Sequence, residues 1–221
     1  MEALEQIKAR AEVAVPGAKI EIVPNAAVTA QASLLLDREH AVSVAQFLRD
    51  DPALKLDHCS NVTGVDWLDR KVSKKVKVKK LVEGVEKEVD ETQEEFLPGY
   101  LEAVYHLFSM SLKHGPVIVR MRTPDRAAGA QLPSLTPIWR SAEFQEREIF
   151  DLYGIKFDGH PDLRRILMWD EFEDFPMRKD YQEPDDYEYE PTPHDEVLDK
   201  AKEHYSPRPQ LDGAEKLTAQ P

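Results

Sequence analysis

The sequence predicts an α+β fold: a mixed sheet with helices packed on one face, followed by an extended C-terminal arm suited to lying on another protein. Three observations predict it. Strand-like and helix-like segments alternate up to about residue 160. A charge-mirrored hairpin interrupts them at 70–95. After residue 160 the chain turns rich in proline, acids and aromatics. These divide the 221 residues into a lead-in at 1–24, a core domain at 25–160 carrying the 70–95 excursion, and an arm at 161–221.

Residues 1–15 fit a short amphipathic helix, with Leu4, Ile7 and Ala11 at helical spacing and Pro16-Gly17 as its stop. Lys19–Val23 and Thr29–Leu36 read as strands on either side of Pro24-Asn25. Asp37 is placed to cap a helix over 38–49, whose Ala41, Val44, Ala45 and Leu48 form one apolar stripe. Leu54–Leu56 and Val62–Trp67 read as further extended pieces. From Arg70 to Lys80 lie seven positive charges, and from Glu83 to Glu95 seven negative ones with Lys87 among them. Gly84 sits where a turn belongs, so the two arms form a solvated hairpin whose charges attract across strands. Tyr100–Met110 and Val117–Arg122 are strands. Ser134 caps a short helical entry that leads into a helix at 142–153, and Gly154 ends it.

Composition excludes several classes. Lys+Arg is 29 against Asp+Glu 42, a net charge of −13, which argues against nucleic-acid phosphate as the main partner. One cysteine, Cys59, permits no intramolecular disulfide and no cysteine-held iron–sulfur cluster from this chain alone. His58 and Cys59 are adjacent, so on a strand they point to opposite faces and cannot chelate together. The N-terminal residues carry charges where a secretory signal would be apolar, and the longest apolar candidate, Val28 to Leu36, contains Thr, Gln and Ser. A cytosolic, reducing location is the simplest expectation. Between Asp170 and Glu196 twelve acids face only Arg178 and Lys179, with Trp169, Phe172, Phe175, Tyr181, Tyr187 and Tyr189 in the same region. Few aliphatics accompany them, so this stretch becomes ordered by lying on a partner rather than by building a core.

The segment Ser141–Tyr181 concentrates the chemistry. On a helix Glu143, Arg147 and Asp151 share one row, so Arg147 is expected between two carboxylates. Glu146, Glu148, Asp151 and His160 have the residue types of acid–base groups, and Arg164 and Arg165 could clamp an anion. Against catalysis, there is no nucleophilic triad ordering, no phosphate-binding glycine loop and no H-E-x-x-H. No second His or Cys stands at ligand spacing from His160. The competing reading is a helix and turn fixed by ion pairs and docked on a partner.

In this segment the sequence resembles the C subunit of the proton-translocating NADH:quinone oxidoreductase, respiratory complex I. The resemblance rests on Glu146-Arg147-Glu148, Asp151, Leu152-Tyr153, Gly154, His160, Arg164 and Ile166. Downstream Pro176-Met177-Arg178-Lys179-Asp180-Tyr181 matches, and so do Pro133–Thr136, Asn61–Asp66 and the strand at Tyr105–Ser109. It covers about residues 25–190 and departs at the 70–95 excursion and beyond 190. The resemblance implies a non-catalytic scaffold of the peripheral arm that supports the D subunit, its quinone-site neighbour, with the B and I subunits nearby. It implies no cofactor or metal on this chain, FMN, iron–sulfur clusters and quinone being held by neighbours. It also implies a peripheral place on the cytoplasmic face of the membrane, in a complex that couples electron transport from NADH to proton translocation. The residues expected at the partner interface are Arg164, Arg165, Trp169, Phe172, Phe175, Arg178, Lys179 and Tyr181. Two alternatives stand beside this: the equivalent small subunit of a membrane-bound energy-converting hydrogenase or related dehydrogenase, and a stand-alone acid–base enzyme built on Asp151 and His160.

Overall fold

The computed structural model describes residues 2–25, 31–82, 85–127 and 129–182, those at 74–82 and 85–93 by their backbone. Contacts divide the chain into Met1–Gln182 and Glu183–Pro221, and all the elements named below belong to the first unit. Helix α1 (Leu4–Ala14) leads into strands β1 (Ile20–Val23) and β2 (Ser33–Leu36), helix α2 (Ala41–Asp50) and strand β3 (His58–Trp67). Strands β4 (Arg70–Val82), β5 (Val85–Leu97), β6 (Tyr100–Ser109), β7 (His114–Arg122) and β8 (Gln131–Pro133) follow. A 3-10 turn at Arg140–Ala142, helix α3 (Glu143–Tyr153) and β9 (Lys156–Asp158) complete the regular structure of the described residues.

The main sheet has the order β1-β2-β7-β6-β3, antiparallel except where β2 runs parallel to β7. Period-2 alternation decides its faces. Leu34 and Leu36, Leu101, Ala103, Tyr105 and Leu107, and Val117, Val119 and Met121 line one face and share a core with Ile7, Ala11, Val44, Leu48 and Ile149 of the helices. Helices on one face of a mixed sheet is the α+β fold that the sequence predicts.

Local differences have physical reasons. Helix α2 starts at Ala41 rather than after Asp37, because Asp37 holds a preceding turn: its carboxylate accepts from the backbone N–H of Lys19 and of His40. Leu54–Leu56 is a turn with Lys55 at φ 40° rather than a strand, although both leucines are buried. Ser134, just past the end of β8, accepts from the N–H of Thr136, so it caps a turn ahead of the helix and not the helix itself. The first residues of the expected 29–36 strand and the turn at Gly84 lie outside the described residues.

The charged hairpin forms as expected, with 13 residues in each arm. It is a separate ladder, yet its register continues that of β3 and β6: Trp67 stands opposite Tyr100, and Arg70 opposite Leu97. The pairing pauses between them, where Pro98 can donate no hydrogen bond. Across the hairpin Lys77 stands opposite Asp90 and Lys79 opposite Glu88.

Candidate interaction site

Helix α3 is gripped from both sides. Towards the sheet, the Gln145 side chain accepts from Val62 N–H at 2.6 Å, beside the register shift between Cys59 and Asn61. Gly64 admits the Tyr153 ring so closely that a Cβ would lie 2.5 Å from it. Glu146, fully buried, accepts four hydrogen bonds: from Tyr105 Oη (3.0 Å), Ser134 Oγ (2.5 Å), Leu135 N (2.8 Å) and Thr136 Oγ1 (3.0 Å). It thereby ties the 134–136 turn and the central strand β6 to the helix.

On its other side α3 holds residues 161–182 as a strap without regular structure. Asp151 is the hub. Its Oδ2 accepts from three successive backbone amides, Ile166 (3.0 Å), Leu167 (2.7 Å) and Met168 (2.9 Å), and its Oδ1 from Arg165 Nη1 (2.6 Å). Arg147 donates to the carbonyls of Arg164 and Arg165 at 3.1 and 3.0 Å. His160 Nε2 lies 3.0 Å from the carbonyl of Glu143, and its Nδ1 accepts from Asp162 N–H. Further along, Arg178 donates to the carbonyls of Tyr153 (2.7 Å) and Arg126 (3.0 Å). Buried Asp66 of β3 then receives Lys179 N–H and both prongs of Arg126.

Arg147 therefore does not bridge Glu143 and Asp151, as the helical row predicts. The strap lies across that row and fills Asp151 with amides and Arg165, while Glu143 pairs with Arg140 at 3.6 Å. Sequence reasoning also missed Glu102, Asp66 and Arg126. Their partners are distant in sequence, and a lone acid in a strand carries no signal of its own.

The residues expected at a partner surface fall into two groups. Arg165 turns inward to Asp151, Phe172 is 8% exposed, and Phe175 packs against Arg165 and Arg178 at 5.6 and 4.6 Å from their guanidiniums. Tyr181 is half-buried, with its ring 6.5 Å from that of Phe172. Of the expected set Arg164, Trp169 and Lys179 face solvent, as do Ile166 and Glu148 of the signature. Arg164 pairs with exposed Asp162, at 3.0 Å. The clamped strap and the adjoining helix thus hold a set of apolar side chains outward: Phe144 at 61%, Leu167 at 62%, Met177 at 53% and Trp169 at 43% exposure.

The two groups of the acid–base reading are both engaged, Asp151 without solvent exposure and His160 through both ring nitrogens. Cys59 is buried and its thiol is pushed up to about 12 by burial, then by the nearby Glu146 charge. Among the described residues, three ligand-capable side chains come within 4.8 Å of one another only at Asp37, Glu39 and His40. There His40 Nδ1 already lies 2.5 Å from Asp37 Oδ2. No helix among the described residues is long and apolar enough to cross a membrane.

An α+β domain with these proportions occurs in a solved respiratory assembly. A chain of the membrane-bound sulfane sulfur reductase, an archaeal respiratory membrane complex, aligns with 99% of this chain and 100% of its own length at a TM-score of 0.52 and 19% identity, a likeness of fold. Residues 34–187 match the family described as the respiratory-chain NADH dehydrogenase 30 Kd subunit, and the chain belongs to that family. A relative from Hyphomonas neptunium, the C subunit of an NADH-quinone oxidoreductase, is 38% identical over 71% of this chain and 62% of its own length. Its counterpart from Saccharopolyspora erythraea is 35% identical over 66% of this chain and 47% of its own. The chain thus spans about half to two thirds of the length of these curated relatives.

Proposed function

We propose that the chain is a non-catalytic scaffold subunit of an NADH:quinone oxidoreductase, seated in the peripheral arm against the quinone-site D subunit with the B and I subunits nearby. The observation that carries this reading is the Asp151 hub. It fixes an irregular strap so that Leu167, Trp169 and Met177 stay outward at little further ordering cost when a partner covers them. Exposed apolar residues rimmed by arginine have the composition of an interface centre. In this reading FMN, iron–sulfur clusters and quinone belong to neighbouring chains, and membrane attachment at the cytoplasmic face is indirect, through the complex.

The test is a tagged pull-down from mildly solubilised native membranes, comparing the wild-type chain with Leu167→Asp and Arg164→Ala. Recovery of the D subunit with flavin, iron–sulfur clusters and NADH:quinone activity is expected from the wild type. At least tenfold less is expected from Leu167→Asp, and a smaller loss from Arg164→Ala, with unchanged melting of both purified variants. Recovery of nickel and hydrogenase activity would transfer the chain to the energy-converting hydrogenase assemblies. A wild-type chain that came down alone, or variants that assembled normally, would end the scaffold reading.

A further inference from the structure

The sheet face turned away from the helices carries a second built cluster, distinct from the Asp151 hub. Glu102, fully buried there, accepts from Trp67 Nε1 at 3.1 Å, Arg120 Nη1 at 3.1 Å and Arg122 Nε at 2.9 Å. Trp67 and Tyr100 stand opposite each other at the root of the hairpin, with ring centroids 6.1 Å apart. Cations cover both rings. The Arg122 guanidinium lies 4.8 Å from the Tyr100 centroid, while that of Arg70 and the Lys179 ammonium lie 5.8 and 5.7 Å from the Trp67 ring. Lys179 reaches this place from the strap, its own backbone N–H fixed on Asp66.

Three cations, from β4, β7 and the strap, therefore lie over two adjoining aromatic rings, and a fourth, Arg120, is held beside them on Glu102. Glu102 pairs with both Arg120 and Arg122 and neutralises one of them; Glu95 stands opposite Val72 on the hairpin, and Glu21 of β1 lies on this face opposite Leu35, itself opposite Arg120. An excess of positive charge remains on a chain whose net charge is −13. The local positive field at these rings attracts anionic groups at short range, against the long-range repulsion of the chain's net negative charge. Guanidiniums held over aromatic faces are weakly hydrated and keep donors for carboxylates. Tryptophan, tyrosine and arginine together are the residues that dominate protein interfaces.

We infer that this face binds an acidic segment of another protein, carboxylates paired with Arg70, Arg122 and Lys179 and its backbone lying across Trp67 and Tyr100. The surface is separate from the strap's apolar residues, and the inference does not rest on the scaffold reading.

The experiment uses the full chain and a fluorescein-labelled peptide of alternating Asp and Glu, with its Asn/Gln counterpart as the neutral control. Anisotropy is expected to show binding of the acidic peptide that weakens as salt rises, and little binding of the neutral one. Charge reversals Arg70→Glu and Lys179→Glu, both at exposed positions, should each weaken binding at least fivefold. Lys113→Glu, exposed in the turn before β7, should change it less than twofold. Carbodiimide coupling to the wild-type chain, read by mass spectrometry, should join peptide carboxylates to Lys179, which keeps the test independent of how the variants fold. Equal binding of the neutral peptide, coupling only at other lysines, or no difference between the reversals and Lys113→Glu would overturn the inference. So would binding of anionic lipid vesicles or polyphosphate with none of the peptide.

Discussion

Asp151 and Glu146 sit on one helix, both without solvent exposure, and ionise in opposite senses. Burial pushes the Asp151 carboxyl up, but the amides of Met168 and Leu167, Arg165 and the Ile166 amide together hold it below its ordinary range. Burial pushes Glu146 up and wins, although Ser134, the Leu135 amide, Tyr105 and Thr136 all donate to it. The difference lies in the donors. Asp151 has a formal cation and three fixed N–H groups, whereas three of the four donors to Glu146 are hydroxyls, which rotate. The signs for stability follow. Asp151 contributes stability that is present above its unfolded pKa and is lost as pH falls through the folded one. Glu146 contributes stability that is present below its unfolded pKa and is lost as pH rises through the folded one. Asp151→Asn should therefore cost about 3 kcal/mol at neutral pH, as for breaking a buried pair, and the gap to the wild type should close in acid. Glu146→Gln should melt at or above the wild type at neutral pH and lose that advantage as pH falls below about 4. Thermal melts of the three proteins across this range check both expectations.

At the scale of elements, the end of α3 decides whether the strap is in place. Gly154 has φ 78°, and a Cβ there would lie 2.6 Å from the Phe175 ring and 2.8 Å from Arg178 Nη2. Gly154→Ala should cost about 2 kcal/mol, from the left-handed conformation together with displacement of the strap. Denaturant titration measures that cost, and faster tryptic cleavage at Arg164 and Arg165 reports the loosened strap. The helix stop itself was legible in the sequence, because a glycine after an amphipathic run has one common use. The hairpin was legible for a similar reason, since mirrored charge flanked a glycine. The grip on the strap was not. Arg147 ends on backbone carbonyls, which have no sequence signature, and the true partner of Asp151 lies 14 residues on instead of one helical turn away. Asp37 misled in the same way: its spacing fits a helix cap, but its carboxylate accepts instead from the amide of His40 in the adjacent turn and from that of Lys19, just before β1.

At the scale of the whole molecule, the hairpin is an addition to the domain and not a support of it. Its two strands form their own ladder, joined in register to β3 and β6 at the Trp67–Tyr100 pair. Replacing residues 68–99 by an Asn-Gly turn should leave the near-ultraviolet circular dichroism unchanged and the melting temperature within about 3 °C, because among the described residues the shared core of sheet and helices contains none of the excised side chains. A collapse of melting would show that the ribbon braces the sheet. The fold class, the one-sided packing of helices and most strands could be read from alternation alone. The open sheet face with its arginines could not, since alternation marks which residues face away from the core and is silent on what they gather around.

The three amides that share Asp151 Oδ2 also set the order in which the molecule comes apart. Ile166, Leu167 and Met168 belong to no helix or strand, so by secondary structure alone their amide hydrogens would exchange freely with solvent. Instead they are sheltered by a single carboxylate, and their protection factors should be equal and should vanish together when that one oxygen is protonated. The sheet amides draw on ladders that do not titrate and would persist. In acid the strap would lift first as one cooperative unit, carrying its apolar side chains away from an otherwise folded domain.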